Sequence, residues 1–148
     1  MVAIRLGVIN DLETVEKIVN AAYSVYVDRI GKKPAPMLDD YRNLIQKQLV
    51  HVIEEGNVVR GIIVLVPMDD YMLVENVAVY PDFQGLGYGR RLLDYADKVA
   101  KIRGYAEIRL YTHEKMIENQ AIYHHLGWKE YKRQMENGYP RIYMKKQL

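Results

Sequence analysis

The sequence predicts an α/β fold in which a mixed, mostly antiparallel central sheet is flanked by helices. Short runs of alternating or continuous apolar residues, typical of strands, are interleaved with longer segments whose apolar residues recur at the helical period. Glycine, proline, asparagine and aspartate separate these segments at the places where turns and helix caps are needed. The expected order is β-α-α-β-β-β-α-β-α-β-β, with helices packed on the faces of the sheet.

The first third of the chain is predicted to be a strand followed by two helices. Asn10 with Glu13 three residues later fits a capping box that opens the first helix, which we expect to end near Gly31. The segment "GKKPAPML" at 31–38 contains two prolines and is predicted to be a loop. An aspartate directly after it, at position 39 or 40, then caps the second helix.

The remaining segments alternate between strands and helices. A hairpin turns at 55–57, and the unbroken apolar run at 62–66 indicates a strand covered on both faces. Further strands are predicted at 71–79, 105–112, 128–134 and 140–146. Two helices lie between them, ended by Gly104 and Gly127.

Length and composition predict one domain spanning residues 1–148. With 148 residues, 49% of them hydrophobic, the chain is long enough for one core, and it shows no linker or internal repeat. The net charge of +2 comes from scattered acids and bases, so we expect no nucleic-acid partner. No run of 18 apolar residues occurs, which predicts a soluble, cytoplasmic protein without a membrane partner.

Cysteine and histidine content argues against a metal site. The chain has no cysteine, which excludes disulfides, thiolate ligands and a cysteine nucleophile. His124 and His125 are adjacent on a predicted helix and point to different sides, while His51 and His113 belong to other elements. We therefore expect no metal. His113 and its neighbour Glu114 are expected to be solvated loop residues, with a position in the lining of the cleft as the alternative.

The segment "VAVYPDFQGLGYGRRLLDYA", residues 77–96, carries the clearest functional signal. Gly85, Gly87 and Gly89 connect a predicted strand to a predicted helix. A glycine-rich turn at a helix start offers unpaired backbone N–H groups and the positive end of the helix dipole, which favour a phosphate or pyrophosphate. The two arginines that follow oppose the dipole unless an anion is bound there. A tight connection with solvated arginines is the alternative interpretation.

Two common phosphate-binding loops do not fit this segment. A P-loop requires Lys and Ser or Thr after its last glycine, and here Gly89 is followed by Arg90. A dinucleotide-binding fingerprint would place its third glycine at position 90, where this chain has arginine, so the spacing does not match.

The segment "NVAVYPDFQGLGYGRRLL" resembles the acetyl-CoA-binding motif of the GNAT N-acetyltransferase superfamily, Q/R-x-x-G-x-G/A between a strand and a helix. A second segment, "MIENQAIYHHLGWKE", resembles the later helix that flanks the thiol end of the cofactor in that family. The resemblance implies acetyl-CoA as the acetyl donor. It also implies cofactor contacts from the strand, the loop and the later helix: Val77, Ala78, Val79, Gln84, Gly85, Leu86, Gly87, Tyr88, Gly89, Arg90 and Asn119.

Two residues are candidates for acid–base chemistry. Glu75 is a carboxylate inside a predicted central strand, where a charge is costly unless it faces a wet cleft or is paired. It is predicted to be the general base, with a structural ion pair as the alternative. By resemblance, Tyr123 donates to the coenzyme A sulfur, with a core packing role as the alternative. Many family members carry the helix asparagine two turns before this tyrosine, where this chain has Met116, whereas Asn119 lies one turn before it.

The acceptor site is predicted between the first helices and the last hairpin. Its candidate residues are tyrosines that could equally be core residues: Tyr23, Tyr26, Tyr41 and Tyr139, with the segment 31–38. The predicted function is transfer of an acetyl group from acetyl-CoA to a primary amine of a small molecule or a protein, by direct attack in a ternary complex. A backbone N–H of Ala78 or Val79 would stabilise the oxyanion. The alternative is a non-catalytic sensor of acetyl-CoA or CoA. The acceptor and a possible homodimer are left open.

Overall fold

The computed structural model describes residues 1–148 and contains one seven-stranded sheet in the order β1-β2-β3-β4-β5-β7-β6. All neighbouring strands are antiparallel except β4 and β5, which are parallel. The predicted mixed, mostly antiparallel sheet is confirmed. The strands are β1 Val2–Leu6, β2 Val50–Glu55, β3 Val58–Pro67, β4 Met72–Val79, β5 Glu107–His113, β6 Lys129–Glu136 and β7 Tyr139–Gln147.

Helices cover both faces of the sheet and enclose two apolar cores. One core lies under the long helix that begins at the end of the glycine loop, residues 84–89. This core includes Trp128. The other lies under the first helix and includes Val15 and Ile18. None of the helices combines the length and the apolar composition that a membrane span requires. The helices are α1 Leu12–Ser24, α2 Val27–Ile30, α3 Tyr41–Gln46, α4 Tyr88–Ile102 and α5 Ile117–His125.

The start of α1 differs from the predicted capping box. Asn10 lies in a short 3-10 turn, and the carboxylate of Asp11 accepts the hydrogen bond from the backbone N–H of Val8 at 2.8 Å. Arg5 donates to the same carboxylate at 2.8 and 3.1 Å. The capping-box prediction is wrong because this partly buried ion pair fixes the aspartate, rather than Asn10, at the turn before α1.

The first helical segment is also interrupted, since α1 ends at Ser24 and α2 is a separate short helix before Gly31. Gly31 then adopts a left-handed conformation with φ +88°, which glycine tolerates at a helix end. The predicted cap of the next helix is confirmed at Asp40, whose side chain accepts from the N–H of Asn43 at 3.1 Å.

A bulge in β4 reverses which side chains face which core. Val64 of β3 pairs with Asn76, but the next residue, Leu65, pairs with Val74, so Glu75 is the extra residue. An inserted residue shifts the alternation of a strand by one position. Val74 accordingly packs in the core under α4, whereas Ala78 packs in the core under α1. The bulge turns Asn76 toward α1.

The sheet opens between β4 and β5. The two strands pair only from Met72 to Val74 with Ile108 to Leu110. Beyond these residues they diverge, so residues 75–79 of β4 and 111–113 of β5 face an opening. The glycine loop, α1 and α5 surround this opening. A ligand-binding site is therefore expected there.

Candidate active site

Two pockets meet in the opening between β4 and β5. The larger groove, named the cofactor groove after its predicted role, runs from the end of β4 along the glycine loop and the start of α4 to α5. The smaller pocket, named the acceptor pocket after its predicted role, lies on the β5 and β7 side, under residues 34–36. The volume, including the part that is open to solvent, is about 1840 Å³ for the groove and about 560 Å³ for the pocket. Four residues line both: Tyr23, Val77, Asn119 and Tyr123.

The glycine loop presents bare backbone to the cofactor groove. Gly85 and Gly87 have φ values of +80° and +90°, a conformation that side-chain-bearing residues rarely adopt. A Cβ atom on either glycine would meet nothing of the chain within 4 Å. Gly87 is also the N-cap of α4 and provides no side-chain cap, so the first N–H groups of the helix are free to bind an anion.

Gly89 differs from the other two glycines because it lies in the first turn of α4 with ordinary helical geometry. A Cβ atom there would make only an ordinary contact, 3.8 Å to Cγ2 of Val79. Packing within the chain therefore does not require glycine at position 89.

The backbone of β4 points alternately toward β3 and toward the groove. The N–H of Tyr80 donates to the carbonyl oxygen of Arg60 on the β3 side at 2.9 Å. By the alternation of an antiparallel strand, Ala78 also bonds to β3, while Val77 and Val79 face the groove. Their carbonyl oxygens accept from Tyr23 Oη at 3.1 Å and from Gln84 Nε2 at 3.1 Å respectively. Their N–H groups, rather than that of Ala78, therefore point toward the groove.

The other predicted loop residues do not all line the groove. Arg90 lines the groove, whereas Leu86 is exposed and does not. Tyr88 lines the groove and is buried, and its hydroxyl donates to a carboxylate oxygen of Glu55 at 2.5 Å. This bond ties the start of α4 to the hairpin between β2 and β3.

Tyr123 lies where the two pockets join. Its ring packs edge-on against Trp128 with the centroids 6.3 Å apart, which fixes the side chain. Burial raises the pKa of the Tyr123 hydroxyl, and no hydrogen bond within the chain occupies it. Asn119 lies one turn earlier, with its amide nitrogen 3.8 Å from the sulfur of Met116. The hydroxyl is thus neutral and free to donate at the junction.

A chain of buried hydrogen bonds crosses behind the junction. The hydroxyl of Tyr23 donates to Oδ1 of Asn76, whose Nδ2 donates to the hydroxyl of Tyr41 at 3.0 Å. The Tyr41 hydroxyl donates in turn to the carbonyl oxygen of Pro36 at 2.6 Å. Asn76 was not identified from the sequence, although a buried amide in an otherwise apolar strand is a recognisable signal.

Glu75 faces the acceptor pocket from the bulge of β4. The pKa of its carboxyl group is raised, first by burial and then by the negative charge of Asp39, and Arg141 opposes this shift. Glu75 is half-buried and has no ion-pair partner within 4.0 Å. The geometry therefore places a carboxylate with elevated proton affinity in the pocket next to the junction.

His113 is the last residue of β5 and is buried, so the solvated position expected for it is wrong and the alternative, a position in the lining of the cleft, is confirmed. Its neighbour Glu114 is exposed, as expected. The N–H of Lys115 donates to Nδ1 of His113 at 3.0 Å. Burial and then the charge of Lys115 lower the pKa of the ring, which stays neutral with its proton on Nε2. His113 lines the acceptor pocket as a hydrogen-bond donor.

The predicted acceptor tyrosines occupy three different positions. Tyr23 and Tyr139 line the acceptor pocket, and Tyr139 holds the segment above it by donating to the carbonyl oxygen of Lys33 at 2.6 Å. Tyr26 lines the cofactor groove instead, and Tyr41 supports the pocket from behind. No three His, Cys, Asp or Glu side chains are arranged to bind a metal ion.

The sequence that builds the groove defines the chain as an acetyltransferase. Residues 46–130 match the family model described as the acetyltransferase (GNAT) domain, which covers more than half of the chain. The chain therefore belongs to the GNAT acetyltransferase family.

Solved structures share the complete fold at low sequence identity. The PaiA N-acetyltransferase from Thermoplasma acidophilum in complex with coenzyme A superposes with a TM-score of 0.83 at 20% identity, covering 100% of this chain and 99% of that one. The ribosomal-protein-S18-alanine N-acetyltransferase from Escherichia coli gives a TM-score of 0.78 at 20% identity, covering 99% and 94%. A GNAT acetyltransferase from Elizabethkingia anophelis with acetyl-CoA bound gives 0.72 at 17% identity, covering 99% and 98%.

One curated relative is more similar over a shorter segment. Mouse N-alpha-acetyltransferase 80 is 37% identical over 57 residues, which is 38% of this chain and 17% of that protein. The match thus spans less than a fifth of that relative.

Proposed function

We propose that this chain transfers the acetyl group of acetyl-CoA to a primary amine by direct attack in a ternary complex. The observation that carries the proposal is that the cofactor groove and the acceptor pocket meet at Tyr123 and Val77. Two substrates bound in these pockets would have their reactive ends adjacent. Residues 1–148 act as one domain in this proposal, in the cytoplasm, with no nucleic-acid or membrane partner. Both pockets are built from one chain, so a homodimer is not required.

The residues of the groove fit coenzyme A. The glycine loop and the uncapped start of α4 would hold the pyrophosphate, with Arg90 as an additional cation. The N–H groups of Val77 and Val79 would bind the pantetheine arm and the developing oxyanion. Acetyl-CoA supplies the activated acetyl group as a thioester.

Glu75 is proposed as the general base. Its raised pKa brings its proton affinity closer to that of an amine than an exposed carboxylate would have. The acceptor enters as an ammonium ion and passes one proton through Glu75 to solvent. The nitrogen lone pair then forms the C–N bond while the C–S bond breaks and its electron pair leaves on the sulfur. The second proton of the nitrogen is released and balances the proton that the thiolate takes up.

Tyr123 is proposed to assist departure of the sulfur. Because burial raises its pKa, the phenol stays protonated and can donate a hydrogen bond as negative charge develops. Tyr23 cannot take this role, since its single hydroxyl hydrogen is already shared between Oδ1 of Asn76 and the carbonyl oxygen of Val77.

A sensor that binds acetyl-CoA without turnover is the second candidate function. It would need the cofactor groove but not the second pocket. The half-buried carboxylate of Glu75 in that pocket is costly for a protein that only binds the cofactor, which favours the enzyme.

The test is release of free CoA thiol with a panel of primary amines, amino acids and peptide N-termini. The proposal predicts amine-dependent CoA release together with an N-acetylated product identified by mass spectrometry. Acetyl-CoA binding without product from any amine would instead support the sensor.

A further inference from the structure

Arg141 is a buried cation in the acceptor pocket that the reaction proposed above does not use. It lies on β7 directly opposite His113 on β5, so both side chains emerge on the same face of the sheet. Its side chain is only 10% exposed. An arginine so deeply buried requires partners for its N–H groups.

The chain itself leaves these donors largely unpaired. The guanidinium stacks on the ring of Tyr111 at 4.1 Å and makes one long ion contact, 3.4 Å to Oε2 of Glu136. That carboxylate is 42% exposed and already accepts from the hydroxyl of Tyr143. No hydrogen bond joins the guanidinium to another group of the chain. Its fork of donors therefore faces the pocket without an acceptor.

Arg141 is not held as a counter-ion to the other carboxylates nearby. Its only ion pair within 4.0 Å is with Glu136, and neither Glu75 nor Asp39 lies that close. The pKa values of Glu75 and Asp39 both remain raised by burial despite its charge. Arg141 influences them across the pocket rather than neutralising them.

His113 adds a second donor beside Arg141. Since Nδ1 accepts from Lys115, the proton of the neutral ring is on Nε2. A planar fork of guanidinium N–H groups with an adjacent imidazole N–H matches the oxygens of a carboxylate.

The donors on β5 and β7 and the carboxylate on β4 thus line the same pocket. We propose that the acceptor is a small amine that also carries a carboxylate, of the free α-amino acid type, with its carboxylate bound by Arg141 and His113 and its amine directed to Glu75. Because this inference names the substrate of the same site, it rests on the proposed function.

The test compares acceptors that carry or lack the carboxylate, with kcat/KM expressed per free amine because their amino groups differ in pKa. Acetyl transfer by the wild-type protein is measured with free α-amino acids, with the corresponding amino acid amides and with the corresponding decarboxylated amines. We expect kcat/KM to be higher for the carboxylates by about 10- to 100-fold, the range for hydrogen bonds to a charged group. This comparison requires no variant and therefore no assumption about folding.

The variant Arg141→Gln tests the residue. It should lower kcat/KM about 10- to 100-fold for the carboxylate acceptors and leave the amides and the KM of acetyl-CoA nearly unchanged. Arg42→Gln, at an exposed arginine of α3, is the matched control and should change none of these values.

The outcomes separate this inference from the proposed function. Equal rates with acids and amides, preference for peptide N-termini, or equal losses for all acceptors in Arg141→Gln would overturn the inference and leave the acetyltransferase proposal standing. Failure to acetylate any amine would overturn both.

Discussion

The side-chain amide of Asn76 donates a hydrogen bond of 3.0 Å to the hydroxyl of Tyr41. The same hydroxyl donates to the carbonyl oxygen of Pro36 at 2.6 Å, so it connects the bulged part of β4 to the wall of the acceptor pocket. Both side chains are buried, which makes the loss of this bond costly. The acceptor pocket is therefore held in shape by a residue that does not line it.

Tyr41→Phe should weaken acceptor binding selectively. It leaves the Pro36 carbonyl and one Asn76 donor unpaired, which should lower the free energy of unfolding by about 1–3 kcal/mol. The KM of the amine should rise while the KM of acetyl-CoA stays nearly constant, because the cofactor groove does not contact Tyr41. Steady-state kinetics and denaturant unfolding measure the two effects.

Tyr105→Phe is the control for this prediction, since its hydroxyl donates to the carbonyl oxygen of Met68 at 2.6 Å in an exposed position away from both pockets. If Tyr41→Phe changed both KM values equally, the hydroxyl would have only a general structural role.

Gly87→Ala should abolish binding of the cofactor. Its φ of +90° strains any side-chain-bearing residue, and a Cβ atom would occupy the open space beside the loop. Gly104→Ala is a matched control, because Gly104 has a φ of +86° with equally open surroundings but lies beyond the other end of α4. Acetyl-CoA should raise the melting temperature of the wild type and of Gly104→Ala.

Without added ligand, the two glycine variants should lose similar stability, since the backbone strain is the same. An acetyl-CoA-induced shift in Gly87→Ala as large as in Gly104→Ala would remove the proposed pyrophosphate site from the loop.

Glu75→Gln should remove the rise of the rate with pH on the acidic side of the pH–rate profile. The base acts only when ionised, and because its pKa is raised, the rate should climb with pH above the ordinary carboxyl range. Glutamine cannot take up the proton, so the variant should be slower by about 10²- to 10⁴-fold, with the KM of acetyl-CoA little changed. The kcat/KM of the amine measured against pH provides the profile.

The same pKa shift predicts a change in stability. A carboxyl group with a raised folded-state pKa stabilises the fold at low pH and loses this contribution as pH rises through that pKa. The wild type should thus lose stability relative to Glu75→Gln as pH increases. Glu16→Gln, at an exposed position of α1, should show neither effect. If the rate of Glu75→Gln rose with pH as it does in the wild type, another group would be the general base.

Much of the fold followed from local sequence patterns. Apolar periodicity indicated the order of strands and helices, and the glycines indicated the turn that precedes α4. The anion site at this turn stays a prediction. The cap at Asp40 was predictable because its partner lies three residues away. The hydrogen bond that Asp11 accepts before α1 could not be predicted, because the position of Asp11 depends on Arg5 and on packing of the whole turn.

The parts that could not be predicted depend on contacts between distant segments. The bulge at Glu75 depends on the pairing of β4 with β3, and no local pattern marks the extra residue. The acceptor pocket brings Arg141 of β7 to His113 of β5, which only strand register determines. The burial of His113 follows from the same register rather than from its neighbours in sequence.

Tyr123→Phe tests the central claim most directly, that acetyl transfer takes place at the junction of the two pockets with Tyr123 as the donor to the leaving sulfur. The ring and its packing on Trp128 remain, so stability and acetyl-CoA affinity should change little. The measurement is single-turnover acetyl transfer from acetyl-CoA to an amine accepted by the wild type, which excludes slow product release. We predict a rate lower by about 10²- to 10⁴-fold, because a donor to the leaving sulfur is lost. Transfer by Tyr123→Phe at the wild-type rate would contradict the account.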